Sequence, residues 1–292
     1  MIPVPPKVPC VSIIGQMKPR LLPNLANFLA AVLALLLFSA FAVAQERDRP
    51  ARIGDKPNLN GIWQAANTAH WNLEAHSAEA LDDFWQLGAI AAIPAGQSVV
   101  VGGEIPYLPE ALAKREENRS GWPASDPEAN CFMPGLPRAT YMPYPFQIVQ
   151  GEGDIMTFSY TYANANRPVY MNEDDHEIAP VDLWMGRSNG SWDGDTLVIE
   201  INSTIDQTWL DRAGNHHSYA MVVTERYTLI SENTLQYQAT IDDPMTFSRP
   251  WTIEMPLYRN IEVDARLFEF NCVEFSEELL YGELESEESV TE

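Results

Sequence analysis

The stretch Thr234-Leu235-Gln236-Tyr237-Gln238-Ala239-Thr240-Ile241 decides the fold: apolar Leu235, Tyr237, Ala239 and Ile241 alternate with polar Thr234, Gln236, Gln238 and Thr240. A period of two is that of a β-strand with one face in a core and one in water. The same alternation runs through Met156, Phe158, Tyr160 and Tyr162, through Leu197, Ile199 and Ile201, and through Tyr219, Met221, Val223, Glu225 and Tyr227. Asn189-Gly190, Asp193-Gly194 and Asn233 separate these segments and predict antiparallel hairpins. Strands with one apolar and one polar face form a closed barrel or a sandwich. The expected architecture is mainly β, an antiparallel, lipocalin-like barrel with a β-sandwich as the alternative, because a meander that closes on itself has no edges.

Upstream of Asp154 the pattern changes. Residues 45–58 read as a charged linker, and Pro57-Asn-Leu-Asn-Gly-Ile-Trp63 reads as a turn entering a first strand. Runs of Ala, Leu and Glu around Ala75–Phe84 and Glu110–Asn118 predict two short helices, an N-terminal elaboration across one end of the sheet. Prolines from Pro106 to Pro145 then punctuate an extended, aromatic-rich segment. The expected division is a signal peptide over 1–44, linker, first strand and helical elaboration over 45–125, barrel over 126–275, and an acidic, solvated tail over 276–292.

The export signal is read from Lys18 and Arg20, the apolar run Phe28–Val43 and the small residues Ala42-Val43-Ala44 before Gln45. A basic region, an apolar region and a small-x-small site specify export with cleavage, and the run is shorter than a membrane span requires. Met17 is a plausible start, Gln45 the expected mature terminus, and the periplasm or the exterior the expected location, with the membrane involved only through the signal. Removing Lys7, Lys18 and Arg20 from the 18 basic residues leaves 15 against 41 acidic ones, about −26. Such a field repels phosphate backbones and argues against nucleic-acid partners. Cys131 and Cys272 remain after cleavage, without metal-thiolate spacing, and two thiols in an oxidising compartment are expected to pair across a loop of about 140 residues.

Candidate chemistry concentrates in Asp206-Gln-Thr-Trp209-Leu-Asp211-Arg212-Ala-Gly-Asn-His216-His217-Ser218. Loops on a rigid barrel are where sites are built. Parity places Glu225 on the apolar side, and a strand continuous from His217 would aim both into one interior. Three readings follow: an ion pair of Glu225 with Arg138, Arg167 or Arg249; a general acid/base site; and a metal site of His176, His217 and Glu225, which no spacing motif supports. The candidate catalytic set is Glu225, His217, Asp206, Asp211 and His176. The candidate binding set is Trp184, Trp209, Arg138, Tyr160 and Tyr227. No cofactor or metal is expected, and no G-x-S-x-G, H-E-x-x-H, P-loop or dinucleotide motif is present.

Several blocks resemble a large, functionally uncharacterised family of exported bacterial proteins: Leu59-Asn-Gly-Ile-Trp63, Cys131-Phe-Met-Pro-Gly-Leu-Pro-Arg138, Gln147-Ile-Val-Gln150, Trp184-Met-Gly186, Trp192-Asp-Gly-Asp-Thr-Leu-Val198, Glu225-Arg-Tyr-Thr228 and Asp243-Pro-Met-Thr-Phe-Ser-Arg-Pro-Trp251. The resemblance spans most of the mature chain and implies export rather than a particular chemistry. In Phe270-Asn-Cys-Val-Glu-Phe275, Val273 stands where similar sequences carry His. Two function classes remain open. One is a cofactor-free lyase, isomerase or hydratase acting on a small apolar or aromatic molecule, for which eight Trp, eleven Tyr and eleven Phe supply cavity-lining material. The other is a non-catalytic carrier of such a molecule.

Overall fold

In a computed structural model, which describes residues 50–81, 92–171 and 177–272, the chain forms a closed nine-stranded barrel. Short pairs β1 (Arg52–Ile53) with β2 (Lys56–Pro57), and β4 (Glu79–Ala80) with β5 (Ala92–Ile93), lie outside it. The barrel strands are β3 (Gly61–Ala65), β6 (Phe146–Val149), β7 (Ile155–Tyr160), β8 (Asn166–Met171), β9 (Arg187–Asp193), β10 (Thr196–Asn202), β11 (Val222–Ser231), β12 (Thr234–Asp242) and β13 (Trp251–Arg259). Their order is β10-β11-β12-β13-β3-β6-β7-β8-β9, closing back on β10. The sandwich alternative is thereby set aside.

The period of two becomes a filled interior. Leu235, Tyr237, Ala239 and Ile241 of β12 are buried, as are Leu197, Ile199 and Ile201 of β10 and Trp251, Ile253, Met255 and Leu257 of β13. Burying one such side chain stabilises by about 1.5–3 kcal/mol, so the alternation itself sets the register. Gly194, at φ 60°, occupies the tight β9–β10 turn in the left-handed region that favours glycine.

Five expectations need correction. One strand pair, β8–β9, is parallel rather than antiparallel; parallel neighbours need a connection of a dozen or more residues, and the chain between Met171 and Arg187 supplies one. Asn189-Gly190 is inside β9, not a turn: a Cβ on Gly190 would come within 2.7 Å of Val169, so glycine permits the close approach of β8. β3, expected with the elaboration, is a barrel strand between β13 and β6. The described part of the expected helix Ala75–Phe84 is extended instead, because His76 and Gly96 exchange backbone hydrogen bonds of 3.0 and 2.9 Å and Glu79–Ala80 pairs with β5. Tyr162 leaves the strand parity for a 3-10 turn after β7, where its hydroxyl donates to the Glu128 carbonyl at 2.7 Å.

The second expected helix is present over Pro109–Ser120. Pro109 opens its first turn with the φ a helix requires, Glu110 and Arg119 complement the helix dipole at their respective ends, and the Gly121 amide caps the Glu117 and Asn118 carbonyls. Cys131 and Cys272 form a disulfide with Cα atoms 5.6 Å apart. It fastens the C-terminal strap, where Phe270 packs on Tyr144 and Tyr162 at 5.2 and 4.9 Å.

Candidate functional site

Glu225 is where parity places it, in the barrel interior with no exposed surface. Its Oε2 lies 2.7 Å from a terminal nitrogen of Arg167, and its Oε1 accepts from the Tyr237 hydroxyl at 2.6 Å. The Arg167 contact is an ion pair whose angle falls short of a hydrogen bond. Arg167 Nε donates to Ser188 Oγ at 2.8 Å, and the guanidinium stands 5.2 Å over the Phe158 ring. Tyr160 and Tyr227 complete the cluster. Burial, then the Glu225 charge, pushes the Tyr227 and Tyr237 phenols well above their usual range. Of the three arginines considered as partners, Arg167 is the one that pairs.

His217 does not join Glu225. The strand begins at Val222, not at His217, because the Ser218 amide and hydroxyl both donate to Asp243, at 2.6 and 2.7 Å, and turn the chain before β11. Tyr219 is accordingly exposed rather than interior. His217 Nε2 contacts Thr208 Oγ1 at 2.7 Å and its Nδ1 contacts the Ser218 carbonyl at 2.9 Å; Nδ1 therefore carries the proton and Nε2 accepts. Burial lowers the basicity of this ring.

Asp211 is buried and organises its own loop. Its carboxylate accepts from the amides of Leu73, Ala213 and Asn215 and from the Asn215 side chain, the last at 2.6 Å. Burial nevertheless leaves its carboxyl above the usual range. Arg138 is bound at both terminal nitrogens to Asp126, each at 2.8 Å, and also reaches Glu128 at 2.6 Å. Arg212 reaches Glu128 from the other side at 2.9 and 2.6 Å and stacks over Trp71 at 4.3 Å. Burial alone would raise the Glu128 carboxyl, but the two guanidiniums carry it down to about 2. Burial and the Arg212 charge press the neighbouring His70 imidazole down to about 4. Of this quartet of alternating charges the sequence marked Arg138 and, within the polar loop, Arg212, but neither acid. Its acids sit in the Pro-rich turn Asp126-Pro-Glu128, where no periodicity marks them.

Trp184, half-buried, stacks on exposed Phe132 at 5.0 Å with an 8° interplanar angle and is not in the lining of the cleft at Trp209. His176 lies outside the described residues. Among the described residues no group of three His, Cys, Asp or Glu side chains stands close enough to hold a metal ion.

Asp206 and Trp209 come together in a different place, a cleft of about 350 Å³ between the helix and the polar loop. Lys114, Glu117 and Asn118 of the helix, Ser125 and Pro127 of the following turn, and Asp206, Gln207, Trp209 and His216 line it. The loop is held in shape by the backbone bridge Trp209–His216 and by the Leu210 amide donating to Asn215 at 2.6 Å. Its tip, Gly214 at φ 82°, lies so close to the helix that a Cβ would meet the Arg115 carbonyl at 2.7 Å. Asn118 Nδ2 donates to the Gly214 carbonyl at 3.2 Å, and His216 Nε2 to the Ala111 carbonyl at 2.9 Å. Sequence reasoning singled out the loop half of this cleft; the helix half was read only as a packing element. No protein-family model matches the chain, and no curated protein matches it significantly.

Proposed function

We propose that this chain is an exported, non-catalytic small-molecule binding protein whose ligand occupies the cleft at Trp209 rather than the centre of the barrel. The observation that supports this reading most is the contrast between the two places. Glu225 has no exposed surface and is ion-paired to Arg167 and hydrogen-bonded to Tyr237, so its carboxylate is compensated within the core and out of reach of a molecule in solvent. The cleft is open, has a volume within the range of small-molecule sites, and pairs an indole with polar side chains. Native mass spectrometry of the mature protein is the test. A retained small molecule that is lost in Trp209→Phe but kept in Glu225→Gln supports it, and retention that depends on Glu225 alone rejects it.

A cofactor-free acid/base enzyme is the second reading. It draws on the presence of a carboxylate, Asp206, and an imidazole, His216, in the lining of the same cleft. Chemical change of the retained molecule on incubation with protein would favour it over carriage. Export, and kinship with the exported proteins whose motif blocks the chain resembles, are parts of the proposal. N-terminal sequencing of the secreted form should begin at or near Gln45.

A further inference from the structure

The side chains around the Trp209 cleft differ in what they have left to offer a ligand. The Lys114 ammonium is 3.1 Å from Glu117, in a bridge between two exposed side chains. One Asn118 amide hydrogen is directed to the Gly214 carbonyl. His216 Nε2 is directed to the Ala111 carbonyl, which in the neutral ring leaves Nδ1 as an acceptor. Asn118 and His216 are thus tied to the fold, while Lys114 and Glu117 offset one another in charge. What remains is the Asp206 carboxylate, which is exposed and makes no ion pair among the described residues, with the Gln207 amide and the Ser125 hydroxyl, each able to donate or accept, beside it. The fourth element is the Trp209 indole, 7% exposed and lining the cleft, and an indole is the aromatic ring that best attracts a cation. The whole chain adds a field of −23, which raises the local concentration of cations at an acidic cleft.

We propose that the cleft binds a small organic cation, a primary amine carrying a short apolar or aromatic group, with the ammonium on Asp206 and the apolar part against Trp209. The inference rests on the reading of this cleft as the ligand site and narrows the ligand's chemistry. An anion would meet two carboxylates, Asp206 and Glu117, against one lysine. A neutral alcohol of the same shape would forgo both the charge-assisted hydrogen bond and the cation–π contact.

The test uses three probes of matched shape on the mature protein: 2-phenylethylamine, 2-phenylethanol and phenylacetate. Binding is followed at the indole N–H cross-peak of Trp209 in a ¹⁵N–¹H spectrum, assigned by its loss in Trp209→Phe. The amine is expected to shift that peak with saturation, to bind at least about tenfold tighter than the alcohol, and to weaken as salt is raised. Asp206→Asn, an exposed change that leaves packing intact, should weaken the amine about tenfold and leave the alcohol unaffected. Equal binding of amine and alcohol, or an Asp206→Asn protein that binds the amine normally, overturns the cation while keeping the cleft as a ligand site. Absence of any shift with all three probes, together with a co-purified molecule still retained by Trp209→Phe, overturns the cleft as well.

Discussion

Glu225 Oε2 and the nearest guanidinium nitrogen of Arg167 are 2.7 Å apart at a place where Glu225 has no exposed surface and Arg167 only 1%. Taking two charges out of water is costly, and their attraction offsets that cost only while both remain. Glu225→Gln should therefore leave Arg167 uncompensated and destabilise the barrel by about 3–5 kcal/mol. Double replacement with Glu225→Leu and Arg167→Met should recover most of that loss. Chemical denaturation of the three proteins checks both statements, and ligand retention per folded molecule should not change.

Stability should fall on acidification in two stages, one from His70 beside the buried quartet and one from Glu128 within it. His70 is held neutral, with its ring at about 4 against an ordinary 6.5; the unfolded chain takes up the proton first, so stability present above 6.5 is lost as the pH drops toward 4. Glu128 is held ionised at about 2 against an ordinary 4.5, and its contribution is lost between those values. Each stage amounts to on the order of 3 kcal/mol. Urea titrations across that pH range should show His70→Gln losing the upper stage alone.

The disulfide closes a loop of 141 residues, which in the chain-entropy picture stabilises by up to about 5 kcal/mol. Peptide mass spectrometry without reductant should find Cys131 joined to Cys272. Replacing both with Ala should lower the denaturation midpoint and release the strap carrying Phe270 from Tyr144 and Tyr162, visible as loss of near-ultraviolet dichroism.

Gly214→Ala should cost about 1–3 kcal/mol, since the left-handed backbone and the Arg115 carbonyl at 2.7 Å both oppose a Cβ. It should also separate the loop from the helix and reduce ligand retention. Gly103→Ala is the comparison: φ is 90° there too, but open space surrounds it, so backbone strain alone remains and retention should be unaffected.

Much of the barrel is legible in the sequence because most of its strands are half-buried and announce themselves by alternation. Glu225 is legible for the same reason, as the polar residue on an apolar parity that includes Val223 and Tyr227. His217 is not, because a side-chain turn at Ser218 and Asp243 breaks the parity and no local pattern announces that contact. β6, with four residues, is too short for its alternation to stand apart from the Pro-rich run before it. The partnership of Glu128 with Arg138 and Arg212 depends on tertiary approach of a turn, a short helix and the polar loop. The cleft was half legible: composition exposed the polar loop, while the helix that faces it looks in sequence like any charged surface helix.

The place of β3 bears on when the barrel can form. Trp63 near the start of the barrel pairs with Arg259 at its far end, and the guanidinium stands 4.0 Å over the indole. Ring closure therefore joins segments separated by nearly the whole domain, the kind of pairing that slows folding because chain entropy is lost before the contact is gained. A ribosome delivering this chain would have to finish Trp251–Arg259 before β3 found its second neighbour. Until then the growing sheet keeps two free edges, so the barrel cannot close before its last strand has been made.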